Sequence, residues 1–173
     1  MTVYVPDTAF FVEAARRGFP LLDGSPFWES LARLAAQGRL QVIDKVQAEL
    51  DRESAALKEW LEEHLRAAVV STNVQATADS LRAVMRWVYA QTDVHPVAAE
   101  RFARSSAVWV LAHALGAGAT VLTYPVPEPA PAYLMSLEVA CRAFGVPVAF
   151  ASDLPSTGQS LSAHRSAAGS SRA

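Results

Sequence analysis

Tyr4-Val5-Pro6-Asp7-Thr8, opening into Phe10-Phe11-Val12, is the stretch whose reading decides the fold of this chain. A short apolar run that ends on an acid and turns at once into a helical pattern reads as a central strand followed by a helix. In an open parallel sheet, ligands bind beyond the carboxyl ends of the strands. Asp7 therefore reaches the edge where such a fold keeps its chemistry. The same position also suits a helix cap, with Asp7 or Thr8 accepting from the free N–H groups of the next helix. Position alone leaves both roles open.

Strand and helix signals alternate from there onward. Thr8 to Arg17 reads as a short helix ending near Gly18. Ser25-Pro26 gives a cap and then Pro at the first helical position, a strong start signal for a helix closed by Gly38. Leu40 to Ile43 is a compact strand. Asp44 is expected to cap the next helix, with Gln47 completing a capping box, and that helix carries Val46, Leu50, Leu57, Trp60, Leu61 and Leu65. Ala68 to Ser71 reads as a third strand and Gln75 to Gln91 as a helix. His95-Pro96 marks a break, and Val97 to Leu115 is helical with an interruption at Arg104-Ser105-Ser106. Ala119 to Thr123 and Pro147 to Ala151 are strand-like, and Ala132 to Phe144 lies between them as a helix. Pro125 to Pro131 holds four prolines in seven residues and must be irregular. This rhythm predicts an α/β fold in three layers, with a largely parallel sheet of about five strands flanked by helices. Residues 1–154 form the expected domain. The Ser/Ala/Gly-rich residues 155–173 lack a periodic apolar pattern and are expected to form a disordered tail.

Composition narrows the function classes. The chain has 173 residues, 51% of them hydrophobic, enough for one ordinary core. Its formal net charge of −2 excludes a strongly basic nucleic-acid footprint over the whole chain. Of the 15 basic residues only Lys45 and Lys58 are lysines, which looks like base-composition bias. The single Cys141 cannot form an internal disulfide and sits in an apolar helical pattern. No basic-then-apolar leader opens the chain and no apolar run is long enough to span a bilayer, so a cytoplasmic protein without membrane contact is expected.

Two acids stand in suggestive places. Asp7 follows the first strand, and Glu49 lies in the helix after the second. If both helices start at the same edge of the sheet, Glu49 turns its carboxylate towards Asp7, and paired carboxylates form a hard-oxygen site for Mg²⁺ or Mn²⁺. The other residue types offer less. His64, His95, His113 and His164 show no metal-ligand spacing, and His113 reads as a satisfied core histidine. The four Trp residues sit at packing positions. Arg16-Arg17 and Arg101-Arg104 read as a solvated surface, and Ser105-Ser106 has no His/Asp arrangement to make it a nucleophile.

With these residues in view, the sequence resembles the PIN-domain fold of metal-dependent ribonucleases, and within it an uncharacterised bacterial subfamily of PIN-like proteins. Tyr4 to Thr8 match an opening Tyr-x-x-Asp-Thr. Phe27, Trp28, Leu31, Gly38 and Arg39 match a Phe-Trp-x-x-Leu helix with Gly-Arg at its end. Val46, Glu49 and Leu50, then Leu57 and Trp60, match the next pieces. Trp109, Ala112, Ala114, Gly118 to Val121 and Cys141 to Pro147 match the last ones. The resemblance covers roughly residues 3 to 154. It implies toxin ancestry within a toxin–antitoxin pair, a cognate antitoxin or helix-turn-helix partner, RNA as substrate and a homodimer. In an active member Asp7 and Glu49 would bind Mg²⁺ or Mn²⁺, which activates water against an RNA phosphodiester.

The departures from that pattern bear on activity. The subfamily places its third acid in Ala-Asp-Pro-Trp, whereas here Ser106-Ala107-Val108-Trp109 puts Ala107 at that position. Thr123-Tyr124-Pro125 replaces Thr-His-Glu, Leu137-Glu138-Val139 replaces Ile-Pro-Asp, and Ala9 replaces a polar residue. The expectation is a PIN-like protein whose metal-dependent RNA hydrolysis is lost or weakened. The alternatives are a non-catalytic protein- or RNA-binding module, and an active ribonuclease that recruits Glu128 or Glu138 as a substitute ligand.

Overall fold

The computed structural model describes residues 1–21, 24–125 and 135–154. Strand β1 (Tyr4–Pro6) buries Val5 completely and leads into α1 (Thr8–Glu13), which buries Phe10 and Phe11. The expected single helix to Arg17 instead widens into a π-helical segment, Ala14–Gly18, where the Phe19 N–H reaches back five residues to the Ala14 carbonyl. The turn beyond it sets the Phe19 ring flat on Phe27 at 4.1 Å, and the Trp28 indole N–H donates to the Phe19 carbonyl at 3.0 Å. Phe27 and Trp28 belong to α2 (Pro26–Ala36), which starts at Pro26 as the sequence predicts.

Strand β2 (Val42–Ile43) runs directly into α3 (Asp44–Glu53). Here two expectations need correction. Asp44 is not the cap and no capping box forms, because Asp44 is already helical and Ile43 is the cap residue. The Asp44 carboxylate instead accepts from the Thr72 hydroxyl at 2.8 Å and the Thr72 N–H at 3.3 Å, fastening α3 to the segment after β3 (Val69–Val70). Nor is there one long helix to Leu65. Ser54 is extended, with φ −154°, and its hydroxyl accepts from the Leu57 N–H to start a separate helix, α4 (Ala55–His64). A hydroxyl that competes with the backbone favours such a break.

Helix α5 (Gln75–Tyr89) is followed by α6 (Pro96–Arg104) and α7 (Ser106–Ala117). The breaks fall at His95-Pro96 and Ser105, where the sequence placed them. Helix α7 is buried along most of its length and packs against β1, β2 and β4 as well as α3, α5, α6 and α8. Its crossing with α5 is tight. A Cβ on Gly116 would lie 2.9 Å from the backbone of Ala76. Gly118, at φ 63°, closes the helix in the left-handed conformation and turns the chain into β4 (Thr120–Leu122). Helix α8 (Leu137–Ala143) and β5 (Val148–Ala149) complete the described elements. Most of Pro125 to Pro131, the start of the expected helix at Ala132 and the tail 155–173 lie outside the described residues.

Every strand pairing among the described residues is parallel. One sheet has the order β1-β4-β5, with Tyr4 opposite Thr120, and a second pairs β2 with β3. The sequence led us to expect one sheet of about five strands. The two sheets meet only at an isolated bridge, where the Tyr4 N–H donates to the Arg39 carbonyl and the Tyr4 carbonyl accepts from Gln41. Pro6 supplies the reason. Alternate residues of a strand face the same neighbour, so Pro6 follows Tyr4 on the β2 side and has no N–H for the next rung. Val3 and Asp7 face the other way and bond β4 on either side of Val5. The result is a mixed α/β fold. Among the described residues, no helix is long and apolar enough to cross a membrane.

Candidate functional site

Asp7 and Thr123 stand just beyond the carboxyl ends of the adjacent strands β1 and β4, and α3 and α7 bring Glu49 and Ser106 to the same place. Asp7 caps α1: its Oδ1 accepts from the Phe10 N–H at 2.7 Å. Its Oδ2 accepts from the Thr123 hydroxyl at 2.6 Å. Of the two roles the sequence left open, these bonds show the cap. Asp7 is 6% exposed, and burial pushes its pKa up to about 6. The two hydrogen bonds oppose that shift, and the neighbouring charge of Glu49 adds to it.

Glu49 reaches out of α3 to the amino end of α7. One of its oxygens, Oε2, accepts from the Thr8 hydroxyl at 2.6 Å and from the Ser106 hydroxyl at 2.5 Å. The other, Oε1, accepts from the Ser106 N–H at 3.1 Å. That N–H is one of the donors a helix leaves unsatisfied at its start, and the helix dipole favours a negative charge there. Helix α7 has no acid of its own in its first turn, and Ser105 makes no side-chain cap because its hydroxyl donates to the Phe102 carbonyl. A carboxylate from another helix fills the vacancy. The Thr8 and Ser106 hydroxyls lie 3.2 Å apart, closing the ring of groups around Glu49.

Among the described residues the further acids do not complete a cluster. Ala107 follows Ser106 in α7 and packs against the core without a carboxylate. Glu138 lies in the first turn of α8, where its charge and that of Asp7 add to the burial that pushes the Cys141 thiol up to about 12. Glu128 lies outside the described residues. Among the described residues no group of three or more His, Cys, Asp or Glu side chains is placed to hold a metal ion. The donor set among the described residues does not fit a two-ion centre. Such a centre needs more anionic oxygen than two carboxylates supply. Here, moreover, each carboxylate oxygen already accepts a hydrogen bond and Glu49 Oε2 accepts two, filling both of its lone pairs.

The remaining candidates resolve into structure. His113 is buried between the Thr77 hydroxyl and the Gln41 side-chain oxygen, each at 3.0 Å, and burial lowers its pKa. His95 caps α6, and His64 lies beside Trp60. His164 is outside the described residues. Trp28 is buried and packs edge-on to Trp60, while Lys45 sits 5.1 Å above the Trp109 ring. Arg16 and Arg17 pair with Glu13, and Arg104 pairs with Glu100. Sequence reasoning missed the part played by Thr8, Ser106 and Thr123. The available signal was their position, since each is a hydroxyl residue at a strand end or helix start beside a candidate acid.

A carboxylate at the end of a parallel strand, with a second brought to the same place by a helix at the amino end of buried α7, defines the class: an α/β domain with a pair of acids beyond a strand end. More particularly, the chain belongs to the family described as Domain of unknown function (DUF4411), whose model matches residues 4–154. No curated protein matches the chain.

Proposed function

We propose that this protein is a PIN-like domain of toxin–antitoxin ribonuclease ancestry in which metal-dependent RNA phosphodiester hydrolysis is lost or weakened. One observation carries the reading. Asp7 and Glu49 converge as the ancestral site requires, yet protein donors satisfy both and Ala107 leaves the third acid position empty of charge. The Tyr4–Leu40 bridge supports treating the two sheets as one layer in the order β3-β2-β1-β4-β5 between layers of helices. Under this reading Asp7 and Glu49 are the residues that would have held Mg²⁺ or Mn²⁺, and their present role is to tie α1, α3, α7 and β4 together. An antitoxin-like partner, RNA and a second copy of the chain are the partners that the ancestry implies, and the cytoplasm is the compartment.

The hydrogen-bonded closure of the pair also favours a second reading, a non-catalytic binding module on the same scaffold. An RNA-cleavage assay with Mn²⁺ or Mg²⁺, run on the parent beside Asp7→Asn and Ala107→Asp, separates the two. The parent is expected to cleave no faster than Asp7→Asn. Gain of cleavage in Ala107→Asp points to a scaffold short of one carboxylate, and silence from all three points to the binding module. Parent cleavage that disappears in Asp7→Asn and that Ala107→Asp does not raise overturns the proposal.

A further inference from the structure

The Asp7–Glu49 pair raises a question of charge. Two neighbouring carboxylates repel each other and call for compensating positive charge. Among the described residues, the ion pairs of Arg16, Arg17, Arg82 and Arg104 go to Glu13, Asp79 and Glu100, and none goes to Asp7 or Glu49. Compensation at Glu49 comes instead from the amino end of α7, through the Ser106 N–H at 3.1 Å and the Ser106 hydroxyl at 2.5 Å. Ser106 is 7% exposed, so these bonds compete little with water. They are charge-assisted, and the two of them hold both oxygens of one carboxylate in a fixed plane.

An ion approaching Glu49 meets this arrangement. On Oε2 the Thr8 and Ser106 hydroxyls occupy the lone pairs, and on Oε1 the backbone of α7 occupies one. The Ser106 amide cannot leave without unwinding the first turn of α7, but its hydroxyl can be removed by substitution. We infer that Ser106 is a positioning residue that keeps the Asp7–Glu49 pair closed to a divalent cation, occupying one acceptor site on each Glu49 oxygen. This inference rests on the reading of the pair as a former metal site. It assigns to Ser106 the closure that the loss of an acid at Ala107 does not by itself explain.

Calorimetric titration with Mn²⁺ alone tests the assignment on the full chain. The set is the parent, Ser106→Ala, Ser106→Thr, Glu49→Gln and the double variant Ser106→Ala/Glu49→Gln. Ser106→Ala is expected to bind one Mn²⁺ at least about tenfold more tightly than the parent. The double variant loses that binding, and Ser106→Thr, which keeps the hydroxyl, behaves as the parent does. A merely structural role for Ser106 would lower stability without raising ion affinity. Equal Mn²⁺ affinity in Ser106→Ala and the parent overturns the inference. If Ser106→Ala does not fold, Ser106→Gly, which likewise lacks the hydroxyl, takes its place: tighter Mn²⁺ binding than the parent supports the inference, and equal binding overturns it. RNA is absent from the titration. A silent parent in the cleavage assay with unchanged Mn²⁺ affinity in Ser106→Ala therefore removes the Ser106 assignment alone, whereas parent cleavage that Asp7→Asn abolishes and Ala107→Asp does not raise removes the functional reading itself.

Discussion

Asp7 does two opposed things to stability. Its hydrogen bonds from Phe10 and Thr123 favour the fold, but burial beside Glu49 makes the ionised form costly. Its folded pKa, about 6, lies above its ordinary value of 3.8, so the folded state holds the proton more tightly than the unfolded chain. The stabilisation is fully present below about pH 4 and is lost as pH rises through about 6; two pKa units correspond to roughly 3 kcal/mol. Asp7→Asn, uncharged at every pH, is expected to unfold at higher urea than the parent at pH 8, by about 1–3 kcal/mol. The difference should shrink towards pH 4. An Asp7→Asn profile parallel to the parent's across that window would show that Asp7 does not titrate as its burial implies. His113 acts in the opposite sense, because burial favours its neutral form and its contribution fades as pH falls below its ordinary value of 6.5. At this scale much of the site was legible in the sequence. A carboxylate after an apolar strand marks itself, as Asp7 does. A hydroxyl does not, because Thr8, Ser106 and Thr123 gain meaning only when a carboxylate 41 or more residues away arrives beside them.

Among the elements, α7 holds the most constrained position. It must present its amino end to Glu49 while its last turn runs almost against the backbone of α5. Gly116 permits that approach, since a methyl group there would meet the Ala76 carbonyl carbon and oxygen at 2.9 Å. Backbone cannot swing aside as the end of a side chain can. Gly116→Ala is therefore expected to destabilise by about 1–3 kcal/mol, despite the higher helix propensity of alanine. Chemical denaturation measures it, and a neutral or stabilising result would show that α5 and α7 are free to separate. Helix starts and stops were readable where a proline or a glycine announced them, as at Pro26, Pro96 and Gly38. The break at Ser54 escaped because apolar periodicity runs on across it from Leu50 to Leu57 and Leu61. The π-helical turn at Ala14–Gly18 has no comparable sequence mark. It ends where the Phe19 N–H bonds the Ala14 carbonyl and the Phe19 ring stacks on Phe27.

Over the whole molecule, one buried cluster runs from Val5 and Phe10 through Leu31, Leu50 and Leu61 to Val84, Leu111, Leu122 and Cys141. Since β1, β4 and α1 to α8 except the exposed faces of the helices contribute to it, the described part of the chain is expected to unfold as a unit. Tryptophan fluorescence, reporting on Trp28, Trp60, Trp87 and Trp109, should give the same urea midpoint as far-ultraviolet circular dichroism. Separate midpoints would mean that the β2–β3 side melts apart from the β1-β4-β5 sheet. The alternation of strands and helices made the α/β class legible from the sequence. The division into two sheets was legible only in Pro6, one missing N–H whose direction depends on strand pairing. The pairing of Tyr4 with Thr120 has a consequence for biosynthesis. The first of the described strands is bonded in the finished sheet to one made more than a hundred residues later. At roughly 5–20 residues per second, the nascent segment around Val5 waits many seconds for its neighbour. Throughout that interval the segment carrying Asp7 is a strand without its β4 neighbour, an edge open to pairing with another chain.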